Sequence, residues 1–228
     1  MGACSECPRV SLVECREPPL LSAIGTEIRI YATQLPRRLA LLLAAYAARN
    51  IAGAGEAPCI YLAWEQALDA LEQLLEKHGV MDKAVLVKEP GACRGLPAVL
   101  VAPEKLPEEL NDLRLVLLPR ETRGLSKRGL ARLTVKPLEG VYMLKVAGRT
   151  ALVVERDGEL CEPEEEPMAA RVARIIAEAV REYGPLTVKD AVQILAGELG
   201  VPRTEARRLL YQAAAAGLVR IEAGYVTA

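Results

Sequence analysis

The cysteines and the one histidine limit the metal and thiol chemistry that this chain can support. Cys4 and Cys7 form a C-x-x-C pair, and Cys15 is a candidate third thiolate. A structural zinc site needs four ligands, commonly from two such pairs. We therefore expect no metal site, and an unstructured or disulfide-forming tail. The remaining three cysteines are isolated in the sequence: Cys59, Cys93 and Cys161.

His78, the only histidine, follows a predicted helix and precedes Gly79. A cation at a helix C-terminus interacts favourably with the helix dipole, so we interpret His78 as such a cation. A Ser-His or Cys-His nucleophile has no support in this sequence. We expect no catalytic residue and predict that the chain is not an enzyme.

The segment from Arg120 to Lys136 is the most basic stretch of the chain, with Glu121 as its one acid. Its glycines and serine suit a mobile loop that orders on a phosphate backbone, so it is a candidate contact for single-stranded DNA. The alternatives are a solvated loop and a surface that docks an acidic linker. The candidate DNA contacts here are Arg120, Arg123, Lys127, Arg128 and Arg132.

A second basic surface is predicted on the last helix of the chain, opposite its apolar stripe. The residue types there contact phosphates and base edges when a helix enters the major groove of duplex DNA. Arg220, in the hairpin that follows, is a candidate backbone contact. Residues 168–228 carry a net charge of only about +2, and a basic face also serves docking to a protein partner. The candidate contacts on the helix are Arg203, Arg207, Arg208, Tyr211 and Gln212.

The composition requires that any nucleic-acid surface be local. The formal net charge is −1, which excludes a uniformly basic, histone-like protein. With 51% hydrophobic and 26% charged residues the chain is predicted to be globular. Only 4% of the residues are aromatic and none is Phe, so the core must consist of Ala, Leu, Val and Ile.

No feature of the sequence predicts contact with a membrane. The longest apolar run, Leu39–Ala48, is about half the length of a membrane span and is flanked by arginines, which indicates a core helix. The N-terminus has no secretory signal, so we expect a cytoplasmic protein. Low Asn and Gln usage with many Arg, Glu and Pro residues suits a thermophile.

An acidic, proline-containing segment at residues 155–167 divides the chain, because such a stretch buries too little apolar surface to order itself. We predict a tail, an α/β domain, a linker and a small C-terminal domain. Their ranges are 1–17, 18–158, 159–167 and 168–228.

The C-terminal domain is predicted to contain three helices and a terminal hairpin. Apolar residues recur at helical spacing from Met168 to Tyr183, and Thr187 with Asp190 forms a capping-box-like start for the second helix. Gly200 ends that helix, and Pro202 begins the third. This order resembles a winged helix, the helix-turn-helix variant with a β-wing.

Short apolar runs alternate with helical stretches in the first domain, which predicts an α/β fold with a mostly parallel sheet and flanking helices. An antiparallel finish is expected between residues 133 and 155. The predicted strands are 27–32, 59–63, 84–87, 98–101 and 115–118, and the predicted helices are 37–50, 65–78 and a short one near 107–113.

Three segments of this domain resemble the RecA superfamily, in its archaeal RadB or KaiC-like form. Pro19–Tyr31 resembles the lead-in to the strand before the phosphate loop, and Leu39–Ala48 the helix after that loop. Cys59–Asp69 is similar to the second family strand with the acidic residue beyond it. The resemblance covers residues 18–160 and implies a RecA-like core.

The family's nucleotide-binding residues are missing. A phosphate loop needs glycines, a lysine and a Ser or Thr, whereas Tyr31–Leu39 contains no glycine and includes Pro36. Ala102 and Pro103 stand where the metal-binding aspartate is expected. Glu65 occupies the place of the catalytic glutamate but has no metal or nucleotide to act with. We therefore expect no cofactor.

These observations predict a non-catalytic DNA-binding protein, a RecA-like paralogue accessory to recombination, repair or other DNA transactions. Its expected partners are DNA and a catalytically active RecA-like protein. One alternative is a winged-helix transcriptional regulator with a ligand- or redox-sensing N-terminal domain. Another is an assembly subunit whose winged helix docks to protein.

Overall fold

The computed structural model describes residues 15–106, 110–119, 129–138 and 140–227. In the first part of the chain, short apolar runs form a six-stranded sheet flanked by helices. Such runs suit a parallel sheet, whose strands are covered by helices. The strands are β1 (Ile30–Thr33), β2 (Cys59–Leu62), β3 (Val85–Val87), β4 (Ala98–Val101), β5 (Leu113–Leu118) and β6 (Ala131–Arg132).

The sheet has the strand order β3-β2-β4-β5-β1-β6, and every neighbouring pair is parallel. The prediction of an α/β fold with a mostly parallel sheet is thereby confirmed. β1 lies between β5 and β6 although it comes first in the chain, so the sheet forms only when distant segments meet.

The predicted core helix is α2 (Arg37–Gly53), and its run from Leu39 to Ala48 is completely buried. Helices α1 (Pro19–Ala23) and α3 (Leu68–Lys77) pack against it. The Asn50 side chain donates hydrogen bonds of 2.7 and 2.9 Å to the carbonyls of Leu21 and Ile24. None of the helices in the described ranges is long and apolar enough to cross a membrane.

The expected short helix near 107–113 is wrong at its C-terminal end. Leu113 begins strand β5, and residues 110–112 have no helical conformation. The rest of that prediction falls on residues 107–109, outside the described ranges. Leu113 and Leu115 are buried in the sheet. Their burial outweighs the local helix preference, so the chain is extended here.

The predicted antiparallel finish follows, but it has four strands, in the order β10-β9-β8-β7, rather than two or three. Part of the expected linker 159–167 belongs to this sheet, because residues 159–161 form the last strand. The Asp157-Gly158 turn has positive φ at both residues, a geometry that joins antiparallel strands, and Leu160 is fully buried. The strands are β7 (Thr134–Leu138), β8 (Val141–Val146), β9 (Arg149–Arg156) and β10 (Glu159–Cys161).

The C-terminal part contains three helices and a three-stranded sheet. Thr187 caps the second helix, since its Oγ1 accepts a hydrogen bond of 3.2 Å from the Asp190 amide, and Gly200 ends it with a φ of 65°. The sheet order is β11-β13-β12, so the terminal hairpin gains a strand that we did not predict. The elements are α4 (Met168–Tyr183), β11 (Leu186–Thr187), α5 (Val188–Leu199), α6 (Arg203–Ala215), β12 (Arg220–Glu222) and β13 (Tyr225–Thr227).

The C-terminal part packs against the antiparallel sheet. Leu138, Val141 and Ala170 form a small buried cluster that joins this sheet to α4. Lys136 of β7 donates a hydrogen bond to the carbonyl of Gly217, just after α6. These contacts bring the antiparallel sheet beside the face formed by α6 and β12.

Two disulfides link cysteines that are isolated in the sequence, Cys15 to Cys161 and Cys59 to Cys93. Cys59, Cys93 and Cys161 are isolated in the sequence, but the fold brings each of them to a cysteine partner. The first bond joins positions 146 residues apart, and the second joins β2 to the 3₁₀ helix Pro90–Cys93. Cys4 and Cys7 lie outside the described residues.

Tyr46 connects α2 to β10. Its hydroxyl accepts a hydrogen bond of 3.0 Å from the Leu160 amide and donates one of 3.5 Å to the Leu160 carbonyl. Burial is the main reason that the pKa of Tyr46 is raised. The neutral phenol can therefore donate and accept in the same contact.

The ring of His78 lies 4.8 Å from the ring of Tyr46. Burial lowers the pKa of His78, and the charges of Arg49 and Lys77 lower it further, against Glu159 and Glu17. Its Nε2 is buried without a partner among the described residues. The interpretation of His78 as a helix C-terminal cation is corrected, because its surroundings favour the neutral ring.

We predict that Tyr46→Phe lowers the free energy of unfolding by about 1–2 kcal/mol, because the buried Leu160 amide loses its partner. Urea denaturation measures this change. Tyr61→Phe is the matched control, since the Tyr61 hydroxyl makes no hydrogen bond with any described residue. Equal effects of the two substitutions would contradict the role given to Tyr46.

We predict that the protein loses stability as the pH falls below the ordinary histidine pKa of 6.5. The folded-state pKa of His78 is lowered, so the unfolded chain binds more protons in this window and folding becomes less favourable. His78→Gln should show a smaller loss between about pH 7.5 and pH 5.5. Denaturant titrations at both pH values test this, and an unchanged difference would exclude His78 as its source.

Candidate nucleic-acid interface

The helices α5 and α6 border a surface cleft of about 400 Å³. On α5 the lining residues are three and four positions apart, so they share one face of that helix. The same spacing separates the lining residues of α6, and the adjoining face of that helix carries the buried Ala206 and Leu210. The cleft is lined by Lys189, Val192, Gln193, Arg203, Thr204 and Arg207.

Three of the lining side chains are cationic and none is acidic. Lys189, Arg203 and Arg207 are exposed and have no ion-pair partner within the described ranges. Asp190 is next to Lys189 in sequence, but its carboxylate accepts a hydrogen bond of 2.6 Å from the Thr187 hydroxyl. The cations repel one another in this cleft, and an anion placed between them relieves that repulsion.

The N-terminus of α6 adds to the attraction for anions. Pro202 precedes the helix, and no side chain among the described residues caps the first amides of α6. Free amides and the helix dipole favour a negative charge at this end. Because Arg203 and Thr204 lie in the first turn, a phosphate beside them contacts both the side chains and the backbone.

Arg208 is engaged within its own helix. Its guanidinium donates hydrogen bonds to the Glu205 carboxylate, one of them 2.9 Å long. The Arg208 guanidinium holds the pKa of Glu205 below its usual value. Arg208 does not line the cleft, so the structure separates it from Arg203 and Arg207, with which the sequence grouped it.

Tyr211, one turn beyond Arg207, contributes to a second surface cleft. This cleft, of about 920 Å³, also includes Arg220 of β12 and Lys145 of β8. The Arg220 guanidinium is 3.6 Å from the Glu222 carboxylate in an exposed pair. Gln212 is exposed on α6 and lines neither cleft.

Most of the expected DNA-contacting loop falls outside the described residues. The candidate contacts in the part that is not described are Arg120, Arg123, Lys127 and Arg128. Arg132 is described and lies in β6, at the edge of the parallel sheet, where it pairs with Tyr31 of β1. Of the predicted helix contacts, Arg203 and Arg207 therefore lie in the α5–α6 cleft. Of the predicted loop contacts, Arg132 is the one within the described residues.

The segment expected in place of a phosphate loop uses its arginines for internal contacts. Arg38 ion-pairs with Glu155 at 2.7 Å, and Arg37 lies over the Trp64 ring at 5.6 Å. At the end of β4, Ala102 has a φ of 54° and its amide donates to the Leu117 carbonyl. Glu65 is exposed at the start of the 3₁₀ helix Glu65–Ala67.

Sequence reasoning missed the contribution of α5 to the cleft. Lys189, Gln193 and Thr204 were not among the candidate contacts, because our selection followed only the face of the last helix. The short turn between Gly200 and Pro202 was the available signal, since it forces consecutive helices to pack closely.

No family model matches this chain, and comparisons with curated proteins and with solved structures find no match. The functional interpretation therefore depends on the geometry and charge of the described residues.

Proposed function

We propose that the chain is a cytoplasmic, non-catalytic DNA-binding protein, a RecA-like paralogue accessory to recombination, repair or other DNA transactions. One observation carries the proposal, the α5–α6 cleft with three cations that have no ion-pair partner among the described residues. Phosphate contacts supply most of the affinity of such surfaces, and their side chains reach base edges in the major groove. In this proposal Arg203, Arg207 and Lys189 contact the duplex.

The topology of the C-terminal part supports a winged helix. Three helices are followed by a hairpin, and β11 between the first two helices completes the small sheet. In a helix-turn-helix arrangement the second helix of the pair enters the major groove and the first crosses the backbone. In this proposal α6 makes the base contacts, with Tyr211 and Gln212 in its later turns. Arg220, in the proposed wing, makes a contact with the DNA backbone.

The parallel sheet is consistent with a RecA-like core. The internal contacts of Arg37 and Arg38 support a core that does not use phosphate-loop chemistry, because Arg37 lies over the Trp64 ring and Arg38 is paired with Glu155. The proposed role of this core is to dock a catalytically active RecA-like protein, and segment 120–136 is proposed to contact single-stranded DNA.

We predict that Arg203→Glu/Arg207→Glu weakens binding of the full chain to duplex DNA by about tenfold or more at low salt. The slope of log K against log salt should fall by about two units, since each lost phosphate contact removes about 0.9. A salt titration by fluorescence anisotropy measures both quantities.

The matched control is Arg171→Glu/Arg181→Glu, which makes the same change in net charge on exposed residues of α4. It should leave the slope nearly unchanged. If both double variants lose affinity equally, general electrostatics explains the binding and the cleft is not the site. If the unaltered chain does not bind at low salt, the C-terminal part docks to protein instead.

A transcriptional regulator with a sensing N-terminal domain is the second candidate. A cleft of about 960 Å³ lies between α4 and the antiparallel sheet, with apolar residues such as Met143 and Leu152 beside Lys145 and Arg149. Clefts between structural units commonly bind small molecules. The Cys15–Cys161 disulfide adjoins it through Glu162.

The two candidates differ in sequence preference. An accessory protein should bind unrelated duplexes with affinities within a few-fold, whereas a regulator prefers its site by about a thousandfold or more. Selection from a random duplex pool, followed by Kd measurements at one salt concentration, distinguishes them. Strong enrichment of one sequence would favour the regulator.

A further inference from the structure

The two disulfides differ in their access to solvent. Cys59 and Cys93 are both completely buried. Cys161 is also buried, but its partner Cys15 is accessible. Thiol–disulfide exchange requires that the attacking thiolate reach one of the two sulfurs. A reductant in solution therefore has better access to the Cys15–Cys161 bond than to the Cys59–Cys93 bond.

A carboxylate lies next to the accessible bond. Glu159 precedes Cys161 by two positions on β10, so both side chains are on the same face of the strand. The ligand atoms of Cys15, Glu159 and Cys161 all lie within 4.8 Å of one another. Lys77 ion-pairs with Glu159 at 3.6 Å, but both groups are partly exposed, so this pair is weak.

These donors match those of a zinc site. Zinc takes thiolates at about 2.3 Å and carboxylate oxygens at about 2.1 Å, and tetrahedral geometry then places the ligands roughly 3.6–3.8 Å apart. After reduction the two sulfurs must move apart by about 1 Å each and the Glu159 oxygen must move by about 1 Å, shifts that side-chain rotation supplies. A water molecule completes the four-coordinate set.

We propose that reduction of the Cys15–Cys161 bond creates a zinc site formed by Cys15, Cys161 and Glu159. A dithiol reductant supplies two electrons and two protons, becomes a cyclic disulfide, and leaves both cysteines as thiols. Zinc binding then releases the two thiol protons to solvent and forms two metal–sulfur bonds. Cys15 and Cys161 are thus connected either by a disulfide or by a shared zinc ion.

The disulfide and the zinc-bound form of Cys15 and Cys161 have the same structural result. Each ties the segment before α1 to the end of β10, where the Glu162 amide donates a hydrogen bond of 2.7 Å to the Arg16 carbonyl. Disulfides persist in oxidising surroundings, whereas zinc holds thiolates in reducing ones. The site therefore preserves the connection in either environment, whether or not the chain binds DNA.

The test uses the full chain with Cys4→Ser/Cys7→Ser, so that the remaining cysteines are Cys15, Cys59, Cys93 and Cys161. The protein is reduced with dithiothreitol, desalted without oxygen and titrated with Co²⁺, whose thiolate complexes absorb by charge transfer. We expect one bound Co²⁺ that Zn²⁺ displaces, and no such absorption from the oxidised protein. Circular dichroism verifies that each variant is folded.

Two further variants, with Glu162→Gln as a control, identify the ligands. Cys15→Ser replaces the accessible cysteine and should remove most of the charge-transfer absorption. Glu159→Gln should weaken Co²⁺ binding about tenfold or more, while Glu162→Gln, a neighbouring acid outside the ligand set, should change it by less than about threefold. Absence of charge transfer in the reduced protein, its persistence in Cys15→Ser, or equal effects of the two Glu→Gln changes would overturn the proposal.

Discussion

Between Leu39 and Ala48 helix α2 is apolar on every side, so the rest of the fold must cover this run from every side. The parallel sheet, α1 and α3 cover part of its surface. Leu144, Val153 and Leu160 of the antiparallel sheet join the same buried cluster. At about 25 cal/mol per Å² of apolar area, this burial is the main favourable contribution to folding. This burial fixes the antiparallel sheet on the core. The antiparallel sheet in turn fixes the position of the C-terminal part.

The pairing of charges distinguishes structural arginines from candidate functional ones. Arg114, Arg38 and Arg49 each have a carboxylate partner, and all three connect separate segments of the first part. Lys189, Arg203 and Arg207 share a cleft and have no such partner within the described ranges. Since a cation paired with a carboxylate is already neutralised locally, an unpaired cluster is the surface that gains most from an external anion.

Cysteine placement connects the fold to chemistry that the sequence order hides. Cys161 ends β10, which we had assigned to a linker, and its partner precedes α1. The same hairpin supplies Leu160 to the Tyr46 contact and Glu159 to the cysteine cluster. Three neighbouring residues therefore anchor the core, offer a carboxylate ligand and form a covalent link.

The local features follow from the sequence alone. Alternating helices and strands, the buried run of α2, the Thr187 cap and the Gly200 stop depend on residues a few positions apart, where periodicity and capping act. Which distant residues meet depends on the tertiary fold. The pairing of Cys15 with Cys161 and the approach of Lys189 to Arg207 depend on how elements pack, because burial of apolar surface does not specify direction or partner.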